Sequence, residues 1–205
     1  MYRATTSQYC RNIDNQTDKM ITLIVKALKN TPSKDQRYAF GDYKGVGFSN
    51  INEPKSAFYI KVENDLETYL SSTPLDFDMH LRRDEGYGLL SKLKFNDGTT
   101  LEQVLEARRI NPELYKDKIA EIKSFKGQSF INDYFVSTTA DPQGAFQCPV
   151  TWDLHVCKGV GATSLDIIGL ASEGEILLNR NLKYTIIDID PDFPLKIVAK
   201  VENQD

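Results

Sequence analysis

Apolar positions change their spacing along this chain, and the changes mark out its architecture. From Asp14 to Lys29, Ile21, Ile24, Val25 and Leu28 recur at intervals of three and four, which predicts one amphipathic helix. Asn30-Thr-Pro32 stops it, and a polar stretch leads into a segment from Tyr38 to Asn52 rich in glycine and aromatics. A second helix is expected from about Ser56 to Leu70, with Phe58, Val62, Leu66, Tyr69 and Leu70 on one side. The period then shortens: Phe77, Met79 and Leu81 alternate with Asp78, His80 and Arg82, as in a half-buried strand.

Asp84-Glu-Gly-Tyr87-Gly88 turns the chain, and a strand-like or irregular piece runs to Phe95. Thr100 can cap a helix from Leu101 to about Arg109, and Asn111-Pro112-Glu113 opens another to about Phe125. Thereafter the pattern is of strands, over Tyr134 to Thr138, Val150 to Cys157, Thr163 to Ile168, Glu175 to Leu178, Tyr184 to Ile189 and Leu195 to Val201. Helices gathered in the first half and strands in the second predict an α+β fold rather than alternating βαβ units. A chain of 205 residues suits one domain, with a mainly helical part over 1–75 and a strand-rich core over 76–205.

Composition narrows the function classes. A net charge of -4 and a pI near 5.3 argue against a carrier of nucleic acid, which relies on basic patches. No apolar run reaches the roughly 20 residues of a membrane span, and Met1-Tyr-Arg-Ala-Thr carries no signal-peptide pattern. Cys10, Cys148 and Cys157 lack the close pairing of a zinc or redox motif; a bridge between Cys148 and Cys157 is possible, with buried thiols the favoured reading. His80 and His155 have no carboxylate or cysteine at metal-ligand spacing and read as structural. No Rossmann or Walker phosphate loop is present.

The unusual stretch is Leu165 to Leu178, where a turn delivers Glu173 and Glu175 to the start of an apolar strand. A period of two aims both carboxylates to one side, an arrangement of like charges that is unfavourable without a purpose. Two other polar features stand at strand ends: Arg82 with Arg83, and Ser137-Thr138-Thr139.

The order Arg, then Ser-Thr-Thr, then Glu-x-Glu resembles the mono-ADP-ribosyltransferases, and specifically the enzymatic components of the binary actin-modifying toxins such as iota toxin. The resemblance runs from about Tyr38 to Lys200 and includes Tyr38-x4-Tyr43, Ile51-Asn52, Leu81-Arg82-Arg83-Asp84-Glu85, Phe125-Lys-Gly127 and Gly169 to Leu178. It implies the ADP-ribosyltransferase-like fold, a helical part packed on a two-sheet, mainly antiparallel core. It also implies NAD as substrate, no metal, and transfer of ADP-ribose to a protein acceptor, with an arginine of host actin the first guess. Such a chain would be secreted or translocated into a host cell and act in its cytoplasm, with no membrane or nucleic-acid partner.

Carried onto matching positions, the resemblance makes Glu175 the anion that stabilises the sugar cation of the transition state, with Ser137 orienting it. Thr138 and Thr139 support the wall around them. Arg82 holds the NAD phosphates, and the backbone of Arg83 meets the nicotinamide amide. Phe146 stacks on the nicotinamide, while Tyr38 and Tyr43 close over the phosphates. Glu173 positions an arginine acceptor and helps remove its proton, and the turn from Ile168 to Ser172 reads the target.

Overall fold

The computed structural model describes residues 6–44, 51, 56–85, 88–140, 148–165 and 174–204, with side chains from Asp18 onward and Glu85 excepted. The first helix, α1 (Thr6–Lys29), begins earlier than its apolar pattern predicts. It also docks by a different face. Leu23 and Ala27 are buried, whereas Ile21, Val25 and Leu28, expected in the core, are 55%, 42% and 60% exposed. Lysines on the docking side account for the choice: Lys19 Nζ donates to the Asp78 carbonyl at 2.7 Å, and Lys26 donates to the Pro74 carbonyl and to Asp76. Their aliphatic stems can cover apolar surface while their ammonium groups satisfy backbone oxygens.

The polar stretch after Pro32 is itself a helix, α2 (Lys34–Asp42), opened by a reciprocal capping box between Ser33 and Gln36. It packs on α3 (Ala57–Ser72), which Ser56 caps. The piece after the first strand is a 3-10 turn over Gly88–Lys92. The helices α4 (Leu101–Arg108) and α5 (Pro112–Lys123) start where Thr100 and Asn111 predict.

Among the described residues there are eight strands, numbered in chain order, the first of which precedes α4 and α5: β1 (Met79–Glu85), β2 (Ser129–Asn132), β3 (Val136–Thr139), β4 (Val150–Val156), β5 (Ala162–Ser164), β6 (Glu175–Leu178), β7 (Leu182–Asp190) and β8 (Leu195–Asn203). Their spatial order is β2-β7-β8-β4-β1-β3-β6-β5, and every pairing is antiparallel except β4 with β8. Hydrogen bonding therefore joins them into one sheet, where two were expected. The junction is narrow, since β1 meets β3 through one register pair, Arg82 with Thr139. A five-strand part and a three-strand part are hinged at that pair, next to the residues of chemical interest.

Burial on both faces of the smaller part explains its apolar composition. Ile176 and Leu178 of β6 enter one core cluster with Trp152, Leu154 and Tyr184, while Leu177 enters a second with Phe40, Leu66, Leu70 and Phe135. Helix α3 is clamped to this part by Arg180, whose guanidinium meets Glu63 and Glu67. Gly161 allows the closest approach: a Cβ there would lie 2.6 Å from the Leu70 carbonyl oxygen. Among the described residues no helix is long and apolar enough to cross a membrane; Cys148 and Cys157 are both half-buried, and Cys157 is a free thiol.

Backbone cannot yield cheaply at Gly161, so Gly161→Ala is expected to cost about 1–3 kcal/mol. Gly41→Ala in α2, where nothing lies within 4 Å of the added carbon, is expected to gain about 0.5–1 kcal/mol. Urea unfolding of the two variants, showing opposite shifts of midpoint at unchanged slope, checks both.

Candidate active site

The strand pair β3–β6 assembles the site. Gly174, at φ 60, turns the chain in the left-handed region that side chains disfavour, and Glu175 then opens β6 opposite Thr139. Ser137 pairs with Leu177, so Ser137 and Glu175 are diagonal neighbours on one face. A glutamate is long enough to span that diagonal. Ser137 Oγ donates to Glu175 Oε1 at 2.5 Å, the short distance expected of a hydroxyl bonded to an ionised carboxylate.

The other carboxylate oxygen faces a cation. Lys44 Nζ lies 3.1 Å from Glu175 Oε2, and both side chains are mostly buried, at 16% and 15% exposure. The contact is an ion pair rather than an aligned hydrogen bond, because among the described residues Lys44 Nζ has no hydrogen-bond acceptor in range at a suitable angle. Lys44 thus holds Glu175 by charge rather than by an aligned hydrogen bond.

Around this carboxylate is a cavity of about 380 Å³, within the range of small-molecule sites, lined among others by Tyr43, Lys44, Arg83, Asn132, Ser137 and Glu175. Tyr43 is buried, donates to the Phe135 carbonyl at 3.2 Å and meets the Phe135 ring edge-on. Arg83 Nη1 donates to the Ser137 carbonyl at 2.7 Å, bracing the backbone that carries the hydroxyl. Asn132 is fully buried; its amide nitrogen donates to the Tyr134 carbonyl, and its Oδ1 is without a partner among the described residues.

Arg82 stands on the neighbouring strand, registered against Thr139 and Asp153, and is not among the described residues on the cavity wall. Its Nε donates to Asp84 Oδ1 at 3.0 Å, and that oxygen also accepts from Thr151 Oγ1 at 2.8 Å. Asp84 is 4% exposed, and its Oδ2 has no partner among the described residues, so the guanidinium is oriented by a fixed, buried carboxylate.

Of the residues singled out in the sequence, Tyr43, Arg83, Ser137 and Glu175 come together on the cavity wall. Thr139 sits between Arg82 and Glu175 in register. Thr138 points to the other face, buried, with its hydroxyl donating to the Ile176 carbonyl at 2.8 Å. Tyr38 is exposed and packs edge-on against Phe58. Glu173, Phe146 and the turn from Ile168 to Ser172 lie outside the described residues. Lys44, Asn132 and Tyr134 line the cavity without having been foreseen. Lys44 follows Tyr43 of the Tyr-x4-Tyr pattern and carried that one signal; Asn132 and Tyr134 carried none.

His80 and His155, expected to be without a carboxylate partner, face one another across β1 and β4, and Asp153 Oδ1 is 3.9 Å from a ring nitrogen of each. Strand pairing supplies the carboxylate that spacing within the sequence did not show.

Comparison with known proteins follows from this geometry. The ADP-ribosyltransferase exoenzyme family model matches residues 18–203. Among solved structures, the Clostridium limosum C3 exoenzyme is similar at 19% identity over 94% of this chain and 95% of that one, with a TM-score of 0.66. C3stau2 from S. aureus, solved with NAD, is 16% identical over 93% and 95%, with a TM-score of 0.71. BECa, an ADP-ribosylating toxin of a binary enterotoxin of C. perfringens solved with NADH, is 16% identical over 93% of this chain but 48% of its own length, with a TM-score of 0.66. No curated protein matches. With the family's sequence pattern running through nearly the whole chain and its fold reproduced around the Ser137–Glu175 pair, this protein belongs to the ADP-ribosyltransferase exoenzyme family.

Proposed function

We propose that this chain is an NAD-dependent mono-ADP-ribosyltransferase of toxin type that modifies an arginine of a host protein and releases nicotinamide, with actin the first acceptor to test. The observation that carries the reading is the Glu175 carboxylate, held by Ser137 Oγ at 2.5 Å on the wall of the cavity. In the reaction the bond between nicotinamide and ribose breaks, its electron pair leaving with nicotinamide, and positive charge develops on the sugar. A preorganised anion in a water-poor site stabilises that charge more than it stabilises the ground state. Glu175 is that anion and Ser137 its positioning residue.

An attacking guanidinium is a poor nucleophile while protonated, and Glu173 takes the proton it sheds as the new carbon–nitrogen bond forms. Arg82, oriented by Asp84, binds the phosphates with Tyr38 and Tyr43, and Phe146 stacks on the nicotinamide. Thr138 and Thr139 support the strand beneath the carboxylate, and Arg83 braces it through the Ser137 carbonyl.

Lys44 has a further part in this scheme. An ammonium 3.1 Å from Glu175 offsets the negative charge that the transition state needs. Lys44 therefore leaves Glu175 for the NAD phosphates when substrate binds, which frees the carboxylate.

A second reading keeps the reaction and changes the acceptor to another side chain, a bacterial protein or nucleic acid. Its support is that the solved structures similar to this chain include C3-type exoenzymes as well as a binary-toxin component. A non-catalytic interaction module on the same scaffold is the remaining alternative. Delivery into a host cell and action in its cytoplasm complete the first reading.

Glu175→Ala is expected to lower both transfer and NAD hydrolysis by about 100- to 1,000-fold or more. Glu173→Ala should lose mainly transfer while still releasing nicotinamide. Labelled NAD with a nicotinamide-release assay separates the two, and equal residual transfer in both variants would refute the assignment. Lys44→Met removes a charged contact worth about 1.5–3 kcal/mol, a rise in KM for NAD of roughly 10- to 100-fold with little change in kcat; a loss confined to kcat would contradict its exchange of partners. Mass spectrometry of proteins modified in host lysate is expected to locate ADP-ribose on arginine, and any other residue would establish the second reading.

A further inference from the structure

We infer that His80, Asp153 and His155 form a binding site for a borderline divalent ion such as Zn²⁺ on the sheet face formed by β1 and β4. His80 and His155 are register partners, with ring centroids 4.1 Å apart, and Asp153 precedes His155 by two residues and so shares its face. Asp153 Oδ1 lies 3.9 Å from His80 Nδ1 and 3.9 Å from His155 Nε2, and the three donor atoms fall within 4.8 Å of one another. Ligands bound to zinc at about 2.1 Å with tetrahedral angles are roughly 3.4 Å apart. Small rotations of three partly exposed side chains on a rigid strand pair close that difference.

Donor chemistry selects the ion. Two imidazoles and a carboxylate suit zinc and its transition-metal neighbours, whereas magnesium and calcium prefer sites built from oxygen. Nearby cations already have anions of their own. Arg82, opposite Asp153, donates to Asp84, and Lys200, beside His155, pairs with Glu202 at 2.5 Å. The exposed side lets water or a partner's side chain complete the coordination, as in open zinc sites with three protein ligands. An ion held here would also tie β1 to β4 through Asp153, the register partner of Arg82, and the histidine pair two residues away, so occupancy would stiffen the strand pair that carries that arginine.

Titration of the full chain with Zn²⁺, competed against a chromophoric chelator, tests the site, with Mg²⁺ as the parallel probe. His80→Gln, Asp153→Asn and His155→Gln are each expected to weaken Zn²⁺ binding by more than the roughly 10- to 100-fold that losing a partner outside the coordination shell costs. Cys148→Ser/Cys157→Ser should bind Zn²⁺ as the unaltered chain does, and Zn²⁺ should broaden or shift the His80 and His155 ring resonances. Binding that survives in the three ligand variants, that depends on the cysteines, or that is matched by Mg²⁺ would overturn the inference. Circular dichroism of each variant confirms that any loss comes from a folded chain, and the surface position of the three residues makes native spectra the expectation.

Discussion

The carboxylate of Glu175 is held from two sides, by a hydroxyl at 2.5 Å and an ammonium at 3.1 Å, with most of its own surface buried. A carboxylate in such a place costs free energy unless its charge is met. Ser137 and Lys44 meet it from different places: the strand β3 and the residues just beyond helix α2. The antiparallel register of β3 with β6 makes the first contact possible, and docking of the helical part onto the smaller end of the sheet makes the second. Arg83 reaches from β1 to the Ser137 carbonyl, so the third supporting element is the strand that joins the two parts of the sheet.

In the proposed reaction, fixed and exchangeable contacts are combined at one residue. The hydroxyl of Ser137 can serve Glu175 throughout a reaction, since it carries no charge to oppose a developing cation. Lys44 cannot, because its charge has the same sign as the one that develops on the sugar. The arginine pair shows a related division. Arg82 is oriented by a buried aspartate and Thr151, while Arg83 spends its guanidinium on backbone. Adjacent arginines on a strand point to opposite faces, which forces them into different work.

Much of this was legible in the chain. The α+β class, the capped starts of α4 and α5, and the strands that carry Ser137 and Glu175 follow from local periodicity and capping residues. The docking face of α1 was not, because its most apolar stripe is Ile21, Val25 and Leu28, and the buried one is set by Lys19 and Lys26 finding carbonyls far away in sequence. Strand β2 escaped notice because four residues of mixed polarity carry no period. The one-sheet arrangement rests on a single cross-strand pair, and no local pattern encodes it.

By itself the sequence determined which side chains are available and which share a strand face: Arg82 apart from Arg83, Asp153 with His155. Those relations follow from a period of two and need no partner strand. Only the tertiary structure decided what each would meet. Lys44 reaches Glu175 across 131 positions of chain, and His80 finds Asp153 through the β1–β4 register. Such meetings are the outcome of competition among buried surfaces and hydrogen-bonded registers over the whole molecule, which is why spacing along the chain is silent about them.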